Sequence, residues 1–124
     1  MPDLPLDSAS YMSFSTFRKN GDEVKTPVWF AGSAGKYFVF SNGNAGKVKR
    51  LRNSARARVA PCNLRGDVLG AWQDAQAIIL TEPADCARAE AALAKKYGWQ
   101  FAGLDFFAAL FGRKKQRAYI VVRT

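Results

Sequence analysis

The sequence predicts a mainly β fold with some α: a closed or split antiparallel β-barrel of about six strands, a short helix after the third strand and a helical pair before the last. Runs of alternating or densely aromatic residues are separated by glycine-bearing turns, as at Lys19-Asn20-Gly21-Asp22 and Gly32-Ser33-Ala34-Gly35. Helical spacing is confined to Ala45 to Leu51 and to Pro83 to Phe111. A sheet of this many short strands in 124 residues protects its edges best by curling on itself.

The elements follow in order. Tyr11 to Arg18 reads as the first strand, and the Asn20-Gly21 pair turns the chain into a second, Lys25 to Ala31. The third, Lys36 to Ser41, carries Tyr37, Phe38, Val39 and Phe40, a run suited to burial on both faces. These three make an antiparallel meander. Val48 and Leu51, three apart, mark one side of a short helix. Arg56 to Ala60 and Trp72 to Leu80 alternate as fourth and fifth strands, joined near Arg65-Gly66-Asp67. Pro83 suits a first helical turn and Gly98 the residue past its end, with Cys86, Ala89, Leu93 and Tyr97 at helical spacing between them. Phe101 to Phe111 reads as a second helix closed by Gly112, apolar on nearly every side, which points to a subunit interface and a homodimer. Arg117 to Arg123 is the last strand. With no internal repeat or linker, residues 1–10 read as an extension and 11–124 as one domain.

Hydrophobic residues make up 48% of the chain and charged ones 23%, so it has the material for a core and lacks the signature of disorder. Nineteen Lys and Arg against ten Asp and Glu leave +9, a field that concentrates anions. Histidine is absent, which removes Ser-His-Asp and Cys-His catalysis and the commonest metal ligand. Asp67, Asp74 and Asp105 lack the clustering that a metal or a two-carboxylate mechanism needs, and Cys62 is a lone thiol without a base. No catalytic residue and no metal ligand is singled out. No run is long and apolar enough to span a membrane, and two cysteines without a signal-peptide pattern fit a reducing cytoplasm.

Two basic runs bear on ligands. In Gly43-Asn44-Ala45-Gly46-Lys47-Val48-Lys49-Arg50-Leu51-Arg52, a glycine-bearing turn opens a helix, which presents free backbone N–H groups beside a cation and so makes a phosphate cradle. It lacks the glycine spacing and following Ser or Thr of a P-loop, and a solvated basic helix face has the same composition. Gly112-Arg113-Lys114-Lys115-Gln116-Arg117 resembles a nucleic-acid patch taken alone, but cations after a helix also complement its dipole. A basic nucleic-acid-binding barrel is the alternative these runs leave open, disfavoured because Tyr37, Phe38 and Phe40 fall at core positions rather than at stacking ones.

Three strings resemble a known family: Thr26-Pro27-Val28-Trp29-Phe30 on the second strand, Val39-Phe40-Ser41-Asn42 ending the third, and Lys47-Val48-Lys49-Arg50-Leu51-Arg52 on the short helix. Their order resembles the FMN-binding split-barrel proteins that include pyridoxamine 5'-phosphate oxidase, and within them a branch using the deazaflavin coenzyme F-420. The resemblance implies an oxidoreductase acting on a small organic substrate, with coenzyme F-420 or FMN in a groove between two subunits. It implies that Lys47, Ser41, Asn42 and Lys25 hold the cofactor phosphate, and that Pro27, Val28 and Trp29 flank the ring. Gly46 stands where the oxidases carry a second phosphate-binding Arg, and the resemblance leaves Lys49, Arg50 and Arg52 either to compensate at the phosphate or to reach the polyglutamate tail of the deazaflavin. A carrier or sensor holding a flavin, deazaflavin or haem without turnover is the other reading of the same groove.

Overall fold

The computed structural model describes residues 4–42, 46–98 and 117–124, with Asn42 and Arg117 described in the backbone only. The expected helix from Phe101 to Phe111, the basic residues 112–116 and the Gly43 side of the phosphate turn lie outside the described residues. Seven strands are present: β1 (Tyr11–Phe17), β2 (Glu23–Val28), β3 (Phe30–Ser33), β4 (Lys36–Asn42), β5 (Arg56–Cys62), β6 (Gln73–Ile79) and β7 (Arg117–Arg123). Two α-helices accompany them, α1 (Gly46–Asn53) between β4 and β5 and α2 (Pro83–Tyr97) after β6.

All neighbouring strands are antiparallel, in the order β2-β1-β5-β6-β7-β4-β3. The two edge strands of that order are consecutive in the chain, with Trp29 alone between them. The sheet therefore curls until its first and last strands meet, a split barrel. This corrects the single second strand expected over Lys25 to Ala31. One straight strand cannot pair with both β1 and β4, which three other strands separate, so the segment breaks at Trp29 and changes partner.

Alternation sets what lies inside. Met12 and Phe14 of β1, Tyr37 and Val39 of β4, Val59 of β5, and Ile120 and Val122 of β7 form one buried cluster with Val28 and Phe30. Ala57, Ala75 and Ala77 on β5 and β6 are small and leave room for α1, whose Leu51 joins the same cluster. Each fully buried Phe or Val there contributes roughly 1.5–3 kcal/mol. Leu6 and Ala9, ahead of β1, also belong to this core.

The other face of β4 carries Phe38 and Phe40, which pack with Trp29, Ala31 and Tyr119 beneath Ala89 and Leu93 of α2. Pro83 occupies the first turn of α2 and Gly98 ends it at φ 58°, as the spacing predicts. The β3–β4 hairpin closes through Ala34 and Gly35 at φ 54° and 85°, the paired positive angles of a twist-matched two-residue turn. Among the described residues no helix is long and apolar enough to cross a membrane.

Candidate functional site

Helix α1 leaves the end of β4 and packs against β1 and β6, so it lies across one mouth of the barrel. Alternation brings two hydroxyls to that mouth. Ser41 follows Tyr37 and Val39 on the inward side of β4, and Thr16 follows Met12 and Phe14 on the inward side of β1. Val48 and Leu51 point α1 into the core, which leaves Lys47 and Arg50, three apart, on one flank of the helix.

Each cation reaches a rim hydroxyl. Lys47 Nζ donates to Ser41 Oγ at 3.4 Å, and Arg50 Nε donates to Thr16 Oγ1 at 2.6 Å. Arg50 also folds back over Gly46: a Cβ there would lie 2.7 Å from Arg50 Nη1. The missing side chain at position 46 is what gives the guanidinium room at the helix start.

The electrostatics are one-sided. Burial pushes the Lys47 ammonium below the usual lysine value, and the charge of Arg50 adds to the effect. Burial, then the charge of Arg18, likewise lowers Arg50. Among the described residues no carboxylate lies within ion-pairing distance of Lys47 or Arg50; the ion pairs join Arg58 to Glu23 and Asp74, and Arg88 to Asp85. A half-buried ammonium beside a guanidinium, with two hydroxyls and no counter-ion, relieves both its desolvation and its repulsion by taking up an anion. The same hydrogen bonds fasten α1 over the barrel mouth.

The other expected site residues are dispersed. Asn42 pairs its backbone with Arg117, and its side chain lies outside the described residues. Lys25 sits across from Ser15, on the opposite sheet face from Thr16, with Nζ 5.1 Å from the ring centroid of Trp72. Arg58 approaches the same ring to 5.2 Å. Pro27 is exposed, whereas Val28 is buried in the core and offers a ligand only its backbone. Trp29 stacks on Tyr97 with centroids 4.3 Å apart and meets Phe40 edge-on. Arg52 is exposed in the last turn of α1, about 140° around the helix from Lys47.

Thr16 and Arg18 were missed by the sequence reading, although the alternation Met12, Phe14, Thr16 carried the signal for the first. Also missed was the set on the outer face in which Ser15 Oγ and Arg58 both donate to Glu23 and hold its carboxyl below the usual range, Ser15 most of all. Burial, and secondarily Asp67, raises the Cys62 thiol, which makes it a poor nucleophile. No group of His, Cys, Asp and Glu among the described residues is arranged to hold a metal ion.

No protein-family model matches the sequence, and no curated protein is significantly similar to it. Solved structures do resemble the fold. A Clostridium acetobutylicum protein related to general stress protein 26 of B. subtilis, of the pyridoxinephosphate oxidase family, superposes with a TM-score of 0.65 at 12% identity, covering 94% of this chain and 76% of its own. An F-420 reductase gives 0.60 at 14% identity, over 95% and 88%. HutZ, the haem storage protein of Vibrio cholerae, gives 0.69 at 12% identity, over 94% and 82%. Identities this low speak for architecture alone. With the strand order and the Trp29 crossover, they establish that the chain has the split-barrel fold of the pyridoxamine 5'-phosphate oxidase-like proteins.

Proposed function

We propose that this protein is an oxidoreductase that binds coenzyme F-420 or FMN and transfers a hydride to or from a small organic substrate. The observation that carries this reading is the half-buried Lys47, with no counter-ion among the described residues, bonded to Ser41 and set beside Arg50 at the start of α1. A phosphate there accepts N–H groups from Lys47 and Arg50 and the hydroxyl of Ser41. Asn42 follows Ser41 in the chain, whereas Lys25, on the opposite sheet face from Thr16, and Arg52, about 140° around the helix from Lys47, lie apart from this pair.

When bound, the cofactor supplies the hydride chemistry. The chain neutralises the phosphate, orients the ring and excludes water. The edge of β2 turned away from β1, which pairs with no other strand among the described residues, faces the ring beside exposed Pro27, Val28 contributes backbone alone, and Trp29 is fixed as a wall by its stack on Tyr97. A second copy of the chain completes the groove, so the active form is a homodimer. The surplus of basic residues favours coenzyme F-420, whose longer anion presents more carboxylates than FMN does.

A carrier or sensor is the second reading, in keeping with a site that holds no assignable acid or base among the described residues. A haem in that role would lack the histidine ligand common in haem proteins, since the chain has no histidine. The nucleic-acid reading is weaker, because Tyr37, Phe38 and Phe40 are packed into the two cores.

The test is a fluorescence-quenching titration of the purified protein with coenzyme F-420 and with FMN. At least one binds, and Lys47→Ala weakens it about tenfold or more. An unchanged affinity in that variant rejects the cradle. Failure of both cofactors to bind rejects the function, and tight binding without turnover over a substrate panel moves the protein to the carrier class.

A further inference from the structure

A second cationic arrangement lies on the outer face of the sheet. Cross-strand pairing aligns Arg56 of β5 with Gln76 of β6, Gln76 with Arg123 of β7, and Arg123 with Lys36 of β4. Their neighbours Ala57, Ala75, Ala77, Val122 and Tyr37 are buried, so all four of these side chains project outward. Strand spacing puts Arg56 and Arg123 roughly 10 Å apart with Gln76 between them.

The row borders an open surface depression of about 540 Å³ lined by Arg56, Asp74, Gln76 and Arg123 among others. That volume suits a small metabolite. Arg56 is held in place by the Phe17 ring, 4.1 Å from its guanidinium carbon to the ring centroid. Among the described residues no carboxylate pairs with Arg56, Arg123 or Lys36, and the nearby Asp74 approaches Arg58 instead.

We propose that this depression is a second anion site, for a small molecule carrying a phosphate or carboxylate at each end, roughly 10 Å apart, with hydroxyl or amino groups between. Arg56 and Arg123 take the two ends, Gln76 bonds the middle, and Asp74 accepts from a hydroxyl or amine. A polynucleotide fits less well: Asp74 repels a continuous phosphate backbone, and among the described residues the lining holds no aromatic side chain for a base to stack on. The site stands apart from Lys47 and does not depend on the cofactor reading.

Calorimetric titration at low salt with fructose 1,6-bisphosphate and, separately, with octanedioate tests this, the two probes distinguishing phosphate from carboxylate ends. At least one binds the wild-type protein. Its affinity falls about tenfold in Arg123→Gln and in Arg56→Gln, and is unchanged in Lys47→Ala. Both arginines are exposed, so the variants keep the fold, checked by their unfolding midpoints; should one fail to fold, the other decides. The proposal is overturned if neither probe binds, if affinity survives in the folded arginine variants, if Lys47→Ala abolishes binding, or if a short single-stranded oligodeoxynucleotide binds more tightly than both probes.

Discussion

Two threonines of neighbouring strands meet opposite fates. Thr16 Oγ1 accepts a hydrogen bond from Arg50 at the barrel mouth, whereas Thr26 Oγ1, in β2, is sealed from solvent with no hydrogen-bond partner among the described residues. A buried hydroxyl left unpaired costs about 1–3 kcal/mol. Valine has nearly the same shape and suits a strand, so Thr26→Val is expected to leave stability unchanged or raise it by up to about 1 kcal/mol in urea unfolding. A loss of more than that amount would show that the hydroxyl is partnered after all. The residues of the candidate site were legible unevenly. Lys47 and Ser41 could be read from local strings, and Arg50 from the basic run that follows Lys47, because these relations are local. The alternation Met12, Phe14, Thr16 marks Thr16 as inward, but that it meets Arg50 under α1 is a long-range relation that no local string carries.

Among elements, α2 was legible to its ends because Pro83 and Gly98 act through backbone geometry alone. The division of β2 from β3 was not, since Thr26 to Phe30 has continuous strand character and only the exchange of partners at Trp29 breaks it. The last turn of α2 secures that exchange. Tyr97 Oη accepts the Phe30 N–H at 2.8 Å and lies 2.8 Å from Ser10 O, and Lys96 Nζ donates to Ala9 O at 2.9 Å while sitting 3.4 Å from the Phe30 ring centroid. Burial pushes Tyr97 up to about 12, out of the accessible range, and brings Lys96 down to about 8, with Asp7 opposing weakly. The unfolded chain keeps the lysine proton up to 10.5, whereas the folded one releases it at about 8. Folding therefore expels a proton between those values, and the contribution of Lys96 to stability grows as pH rises from about 8 to 10.5. The effect is smaller than the full shift implies, because only the ammonium end is half-buried against Phe30 while the residue as a whole is exposed to screening solvent. The unfolding midpoint of the wild type is expected to gain on that of Lys96→Met across this window. A gap that stays flat or narrows would show that the ammonium is not desolvated against Phe30.

At the scale of the whole molecule, barrel closure and charge pull in opposite directions. Closure was legible from the number of short strands and their turns, and the structure realises it by making both edges one chain segment. The same compact shape gathers nineteen basic groups against ten acidic ones, a net +9. The described ion pairs offset little of this, because their side chains are 26% to 92% exposed and such pairs contribute about 0–1 kcal/mol each. Self-repulsion then outweighs local attraction, and the unfolded chain, being more expanded, feels less of it. Salt at about 0.3 M shortens the screening length below the roughly 10 Å that holds at 0.1 M, so it should relieve repulsion between groups on different strands first. The thermal midpoint is therefore expected to rise when sodium chloride is increased from about 0.01 M to about 0.3 M. Anion uptake at Lys47 would raise it too, so the comparison is made in Lys47→Ala as well. A rise kept in that variant belongs to the charge of the whole molecule and one lost in it belongs to the cradle, while a midpoint that falls with salt in both proteins would mean that the ion pairs, not the repulsion, govern the electrostatics of this barrel.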